Sequence, residues 1–350
     1  MRRINHLFLF AVSALLADTR GEDLWISYAG KDGAGKGKKI VLISGDEEYR
    51  SEEALPMLGK ILSQRHGFDC TVLFSFDEAK GFIDPYKGNS LPGMKALEGA
   101  DLAIIFTRFR TPPQEEMKYL EAFLDAGKPV IGLRTSTHGF RGKWGYFGMQ
   151  ILGERWDGHH GGHKREGCRG VIEEANKDHA VLRGVKDVFA PSDVYGARHV
   201  TEKDTILLRG AVTKTLDPKS EKVAGKKNDP MMPLAWLHPY QSKGGGKGTA
   251  FTTTMGAAVD LVSEDARRII VNAALFLTGL EVPAKANVDL VDPYYPSFYG
   301  FWRKPKNGEW IWAKRNLRPS DFALGKSPAA VDPPGTPKWP FREMGPKEKK

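Results

Sequence analysis

Apolar and polar positions alternate in a repeated rhythm over the first half of the chain. Residues 39–44, Lys-Ile-Val-Leu-Ile-Ser, read as a strand. Residues 51–67 carry apolar side chains at helical spacing, with Ser51 and Glu53 near the start and Gly67 as a stop. Residues 70–74 form a second strand, 93–99 a short helix and 101–106 a third strand. Pro112-Pro113 then opens a helix over 114–126, and Gly127-Lys128-Pro129 turns into a fourth strand ending at Leu133. Such alternation predicts an α/β fold, a mostly parallel sheet with helices on both faces.

Beyond Leu133 the pattern predicts an amphipathic helix over 144–156, and then a more β-rich half. Candidate strands cover 169–174, 193–197, 205–213, 234–238 and 249–254. The lysine-rich stretch 216–229 reads as a mobile surface insertion. Ser263-Glu264-Asp265 should cap a helix over 266–277. From residue 284 the composition shifts to proline and aromatics, as in Pro293-Tyr-Tyr-Pro296, Phe298-Tyr-Gly-Phe-Trp302 and Trp310-Ile-Trp312. Large apolar side chains without a core of their own are expected to wrap back onto the main domain, and they also suit stacking on a sugar ring.

The first residues stand apart: a basic Met1-Arg2-Arg3 start, ten apolar residues from Leu7 to Leu16, and the small Ala17. This is the pattern of an export signal, cleaved between Ala17 and Gly21, and the run is too short for a stable membrane span. The expected organisation is therefore a signal over 1–21, a linker over 22–38, a domain over 39–282, an aromatic-rich extension over 283–330 packed on that domain, and a disordered tail over 331–350. With 350 residues and 41% hydrophobic composition the chain can bury a sizeable core. Its net charge of +9 falls to +7 when Arg2, Arg3, Arg20 and Asp18 are removed with the signal. The lysines are scattered, and no helix carries an arginine stripe with interleaved aromatics, so a solvated basic surface is expected and a nucleic-acid partner is not. An exported protein can pair its cysteines, here only Cys70 and Cys168, but neither lies in a zinc or redox spacing.

Candidate chemistry concentrates after the fourth strand. Four of the nine histidines, His138, His159, His160 and His163, fall there. Ligands of an open parallel sheet bind outside the carboxyl ends of its strands, which is where His138 is placed. Neutral imidazole acts as a general base or metal ligand near pH 7. The four-residue step from His159 to His163 lets both converge on a divalent metal such as zinc if the backbone is helical, although Gly161-Gly162 argues for a loop. His138 and His163, with the carboxylate of Asp193 and the phenol of Tyr195, are the catalytic candidates. Asp46, Glu48, Arg108, Arg134 and Ser136 are the candidates for substrate binding, since all follow predicted strands. Asp46 and Glu48 suit helix capping equally well, and Ser136 suits a satisfied strand-end hydroxyl.

The segments Gly127-Lys-Pro-Val-Ile-Gly-Leu-Arg-Thr-Ser-Thr-His138, Phe106-Thr-Arg-Phe-Arg-Thr-Pro-Pro113, His159-His-Gly-Gly-His-Lys164, Asp193-Val-Tyr195, Pro233-Leu-Ala-Trp236 and Phe251-Thr-Thr-Thr-Met-Gly256 together resemble the trehalose-utilisation, ThuA-like family over residues 39–282. The resemblance implies a flavodoxin-like sheet related to class I glutamine amidotransferases and a link to carbohydrate metabolism. Where those amidotransferases place a nucleophilic cysteine, this chain has Arg134-Thr-Ser-Thr-His138, so glutamine hydrolysis by a thiolate is not expected. The expected function is an exported enzyme that binds a small carbohydrate and processes it by hydrolysis, elimination or isomerisation, through histidine acid–base or metal-assisted chemistry. The alternative is a non-catalytic carbohydrate-binding module. An enzyme should gather His138, His159 and His163 within about 8 Å in one pocket.

Overall fold

A computed structural model describes residues 24–301 and 315–338. The expected signal at 1–21, the tryptophans 302, 310 and 312, and the tail from 339 lie outside the described residues.

The strands are β1 (Trp25–Tyr28), β2 (Lys39–Gly45), β3 (Asp69–Phe74), β4 (Phe76–Asp77), β5 (Phe82–Ile83), β6 (Leu102–Thr107), β7 (Val130–Leu133), β8 (Cys168–Ile172), β9 (Val188–Ala190), β10 (Thr205–Val212), β11 (Met232–Gln241) and β12 (Lys247–Thr253). The α-helices are α1 (Ser51–His66), α2 (Gln114–Asp125) and α3 (Glu264–Leu277). Ten strands form one sheet in the order β1-β3-β2-β6-β7-β12-β11-β10-β8-β9, and β4 pairs with β5 apart from it. Strands β3, β2, β6, β7 and β12 are an unbroken parallel core. The flanks continue antiparallel, which leaves seven of the ten strands pointing the same way. Strand β1 lies in the stretch read as a linker and pairs with β3 at the sheet's edge.

Both faces of the core are covered. Ile40 and Leu42 of β2, with Leu102, Ile104 and Phe106 of β6, pack in the cluster that holds α1 and α3. The intervening Val41, Ile43, Ala103 and Ile105 pack with Met117, Leu120 and Phe123 of α2 on the other face. Near-continuous apolar strands are therefore what two-sided burial requires. The aromatic extension lies against the first face: Tyr294, Phe298 and Tyr299 are buried there, and Asp292 takes an ion pair from Lys60 of α1 at 2.6 Å. No described helix is long and apolar enough to cross a membrane.

Four expectations are corrected. Residues 144–156 form no α-helix; a 3-10 turn (Gly142–Trp144) and a π-turn (Gly148–Leu152) carry the chain back over the sheet. Gly148 packs so closely on the turn after β7 that a Cβ there would collide with the Thr137 carbonyl oxygen. Residues 193–197 are a loop, touching His159 through one bridge at Tyr195, because Ser192 and Asp193 direct their hydrogen bonds to side chains instead of a ladder. Ser263 sits at the N-cap of α3 without capping it, and its hydroxyl accepts from the Phe189 N–H at 3.4 Å. The lysine-rich stretch is tied down: Lys214 N–H donates to Glu221 O at 2.9 Å and Val223 N–H to Val212 O at 2.8 Å.

Candidate functional site

The loops that follow β2, β6, β7 and β12 converge at the carboxyl edge of the parallel core, as the switch from parallel to antiparallel pairing invites. Their backbone is strained there. Five described residues other than glycine have positive φ, and four of them, Arg50 (61°), Phe109 (52°), Arg134 (42°) and Lys164 (60°), belong to this edge. Bulky residues in that region cost free energy and persist where the surroundings impose them, typically at functional sites.

Asp193 organises the centre. Its carboxylate accepts from His159 Nδ1 at 2.6 Å and from His163 Nδ1 at 3.2 Å. A carboxylate only accepts, so both imidazoles carry their proton on Nδ1 and, when neutral, present a bare Nε2. Arg134 closes the third side: Nη2 donates to Asp193 Oδ1 at 3.2 Å and Nη1 to the Asp193 carbonyl at 3.0 Å. Burial opposes ionisation of Asp193, but the two imidazole hydrogen bonds and the Arg134 charge outweigh it and hold the carboxyl well below the usual carboxylate range. The guanidinium of Arg134 is sandwiched between the rings of Tyr49 and Tyr195, 4.1 and 4.2 Å from their centroids.

Glu48 faces the cluster from the β2 loop. Its Oε1 lies 3.5 Å from His163 Nε2 and its Oε2 lies 3.3 Å from Arg108 Nε. Burial raises the Glu48 carboxyl to about 7, against the lowering influence of Arg108. Burial also lowers His163, more than its bond to Asp193 raises it, so this imidazole is neutral at pH 7. A carboxyl titrating near neutrality thus faces a neutral imidazole.

His138 joins through aromatic contacts. Its ring centroid lies 4.8 Å from Phe109, 5.1 Å from Trp156 and 6.3 Å from Tyr195, while Trp156 is 5.6 Å from His159. His159 and His163 are themselves 4.7 Å apart. Burial and the nearby Arg108 and Arg134 charges press His138 well below its ordinary value, so it too is neutral. Trp156 and Phe301, 36% and 43% exposed, give the site an apolar rim. The Arg108 guanidinium is held 4.8 Å from both the Phe109 and Phe301 rings.

The edge therefore gathers His138, His159, His163, Asp193, Tyr195, Glu48 and Arg108. Three expected ligand-contacting residues lie beneath it. Asp46 is fully buried and spends Oδ1 on the Glu48 and Tyr49 N–H groups, both at 2.6 Å, and Oδ2 on the Thr135 hydroxyl. Ser136 Oγ donates to the Ile105 carbonyl at 2.6 Å. Arg134 has no exposed surface, and besides Asp193 its guanidinium donates to the Thr254 carbonyl at 2.7 Å and the Tyr49 hydroxyl at 3.1 Å. The phenol of Tyr195 is buried and pushed up by that burial, which keeps it protonated. His160 is not solvent-facing: its Nε2 bonds the Lys227 carbonyl of the lysine-rich stretch at 2.8 Å.

Both cysteines are free and buried. Cys70 is the second residue of β3, at the amino end of the parallel core, whereas Cys168 starts the oppositely running β8 and feels Asp260, Arg134 and Asp193. Burial pushes the Cys168 thiol far up, so it offers no thiolate nucleophile.

Three contributors escaped the sequence reading. Tyr49 stacks on Tyr299 at 5.1 Å, and Tyr299 reaches from the extension to within 5.3 Å of His163. Asp260 accepts from Ser192 Oγ at 2.6 Å and from the Gly256 and Ala257 N–H groups at 3.0 Å, which locks the loop carrying Asp193 onto the end of β12. The only sequence signals were the tyrosine just after a predicted strand and an aromatic run past the domain.

The ligand atoms of His159, His163 and Asp193 lie within 4.8 Å of one another, a donor set able to hold a metal ion. A hydrogen-bonded separation of 2.6 Å is shorter than the roughly 3.3 Å that separates two ligands on a tetrahedral zinc. Metal binding there would require the His159 ring to shift.

A family model described as trehalose utilisation, ThuA, matches residues 39–277. Solved structures to which the chain is similar include a ThuA-like protein from Bacteroides uniformis, 15% identical, covering 71% of this chain and 95% of that one with a TM-score of 0.46. A ThuA-like protein from Parabacteroides merdae is 14% identical, covering 71% and 92%, with the same TM-score of 0.46. No curated protein matches the chain.

Proposed function

Because the chain belongs to the trehalose-utilisation, ThuA, family, we propose that it is an exported enzyme that processes a sugar or sugar derivative by proton transfer at Glu48 and His163. The observation that carries this reading is the His163 imidazole, fixed at Nδ1 by Asp193 and facing Glu48 Oε1 at 3.5 Å. Hydrolysis, elimination and isomerisation of a sugar each need one group to take a proton and another to deliver one. A carboxyl near 7 beside a neutral imidazole suits both tasks at neutral pH. His159 shares the Asp193 clamp, His138 packs against Trp156 and Phe109, and the Trp156 and Phe301 faces fit the apolar side of a sugar ring.

A second reading is metal-assisted chemistry, favoured by the convergent donors of His159, His163 and Asp193. Two imidazoles and a carboxylate leave a zinc-class ion one open position for water or substrate. A third is a carbohydrate-binding module using the same pocket without turnover. The deciding experiment screens the purified protein against oxidised and unoxidised disaccharides, with His163→Ala and Glu48→Gln as controls and with zinc or a chelator added. Turnover lost by about a hundredfold or more in both variants and insensitive to chelator supports proton transfer. Turnover that needs zinc supports the metal reading, and binding without turnover supports the module. Equal turnover by wild type and both variants contradicts the assignment.

A further inference from the structure

We propose that Lys164 recognises an oxyanion on the ligand, a carboxylate or a phosphate ester, at the Glu48 side of the site. This rests on the sugar-processing reading and narrows its substrate to acidic sugar derivatives.

The arginines buried in the site are all committed. Arg108 pairs with Glu47 and Glu48, Arg110 with Glu47, and Arg134 with Asp193. Lys164 differs: it is half-buried, yet no carboxylate of the described residues lies within 4.0 Å of its ammonium. Three features hold it in that state. Its backbone is left-handed, at φ 60°. Its N–H donates to the Tyr299 hydroxyl at 3.2 Å. Its Nζ rests against Gly300, where a Cβ would collide with it, and the Gly300 N–H donates to the Glu48 carbonyl at 2.7 Å. The ammonium is thereby held at Gly300, on the Glu48 side of the site, where the Glu48 charge attracts it and the Arg50 charge repels it.

Half-burying a charge without a direct ion pair among the described residues costs free energy that the more distant Glu48 charge does not offset, and so does a left-handed lysine. A surface lysine kept only for solubility needs neither. An incoming oxyanion would supply a direct counter-ion and restore what the ammonium loses by leaving water. The extension contributes to this arrangement through Tyr299 and Gly300, so the anion subsite lies where the family domain meets the segment that follows it.

The test is calorimetric titration of glucose, glucuronate, glucose 6-phosphate and inorganic phosphate into the full mature chain, Lys164→Met and Lys164→Arg, at low and high salt. Wild type should bind the two acidic sugars about tenfold or more tighter than glucose. The preference should shrink with salt, vanish in Lys164→Met and survive in part in Lys164→Arg. The melting temperature of Lys164→Met should not fall, because only an uncompensated charge is lost, whereas a structural lysine would lower it. Equal affinity of wild type for neutral and acidic sugars overturns the proposal and leaves the sugar reading standing. An acidic preference kept by Lys164→Met also overturns it. Phosphate bound by wild type and lost in Lys164→Met, with no sugar bound, keeps the oxyanion site and overturns the sugar reading. Binding of no probe overturns both.

Discussion

Asp193 holds the site together at the scale of single residues, because three cationic or proton-donating groups share its two oxygens. Asp193→Asn removes the charge that Arg134 was buried against, and stranding a buried guanidinium costs about 3 kcal/mol or more. Chemical denaturation should show that loss, and activity should fall with it. Glu48 makes a pH prediction of opposite sign. Its folded carboxyl titrates near 7 and its unfolded one near 4.5, so above 4.5 the unfolded chain releases a proton that the folded chain still holds. Stability therefore declines as pH rises from about 4.5 to about 7, by up to roughly 3 kcal/mol. Glu48→Gln abolishes this component, so the unfolding free energy of wild type minus that of the variant should fall by up to about 3 kcal/mol from pH 4.5 to pH 7. A difference that stays constant with pH contradicts the assignment. His138 was legible because polar residues directly after a β-branched run mark a strand end, and His159 and His163 because histidines cluster there at a four-residue step. Asp46, Arg134 and Ser136 carry the same signal but point inward, and nothing in a linear pattern says whether a turn residue faces solvent or the turn itself.

Elements of the parallel core were legible because two-sided burial writes itself as continuous apolar runs, and β2, β6 and β7 fall where those runs lie. Residues 144–156 misled because Trp144, Phe147, Ile151 and Leu152 are apolar at helical spacing, yet Gly145, Gly148 and Gly153 let the chain fold into short turns whose apolar side chains fill the α2 face. Gly148 tests this directly. Gly148→Ala drives a methyl group into the Thr137 carbonyl, and relief requires the turn bearing His138 to move. The variant should lose about 2 kcal/mol or more of stability and shift the His138 ring signals, whereas Gly142→Ala, with nothing within 4 Å but a positive φ of 64°, should cost about 1 kcal/mol and leave His138 unmoved. The strand expected at 193–197 failed for a related reason: a short alternating pattern is compatible with a loop whose polar side chains replace the ladder, as Ser192 and Asp193 do.

At the scale of the whole molecule, the family domain and the extension behave as one packed unit. Ser297 N–H and Oγ both donate to Glu53 at 2.6 Å, Tyr28 donates to the Phe322 carbonyl at 2.7 Å, and Tyr299 lies beneath His163. A chain ended at residue 282 should melt roughly 10 °C or more below the full protein, since it exposes the apolar surface under Tyr294, Phe298 and Tyr299. The aromatic-rich composition foretold packing, but not that one of its rings would floor the site, because contacts between segments more than a hundred residues apart leave no local trace. The account as a whole stands on the Asp193 clamp, and the most direct measurement is the tautomer of His159 and His163, read from long-range proton–nitrogen correlation spectra at pH 7.5. Both rings should carry a proton on Nδ1, with Nε2 of His163 bare, and Asp193→Asn should release that preference. Protonated Nε2 and bare Nδ1 in the wild type would contradict the arrangement on which the proposed chemistry depends.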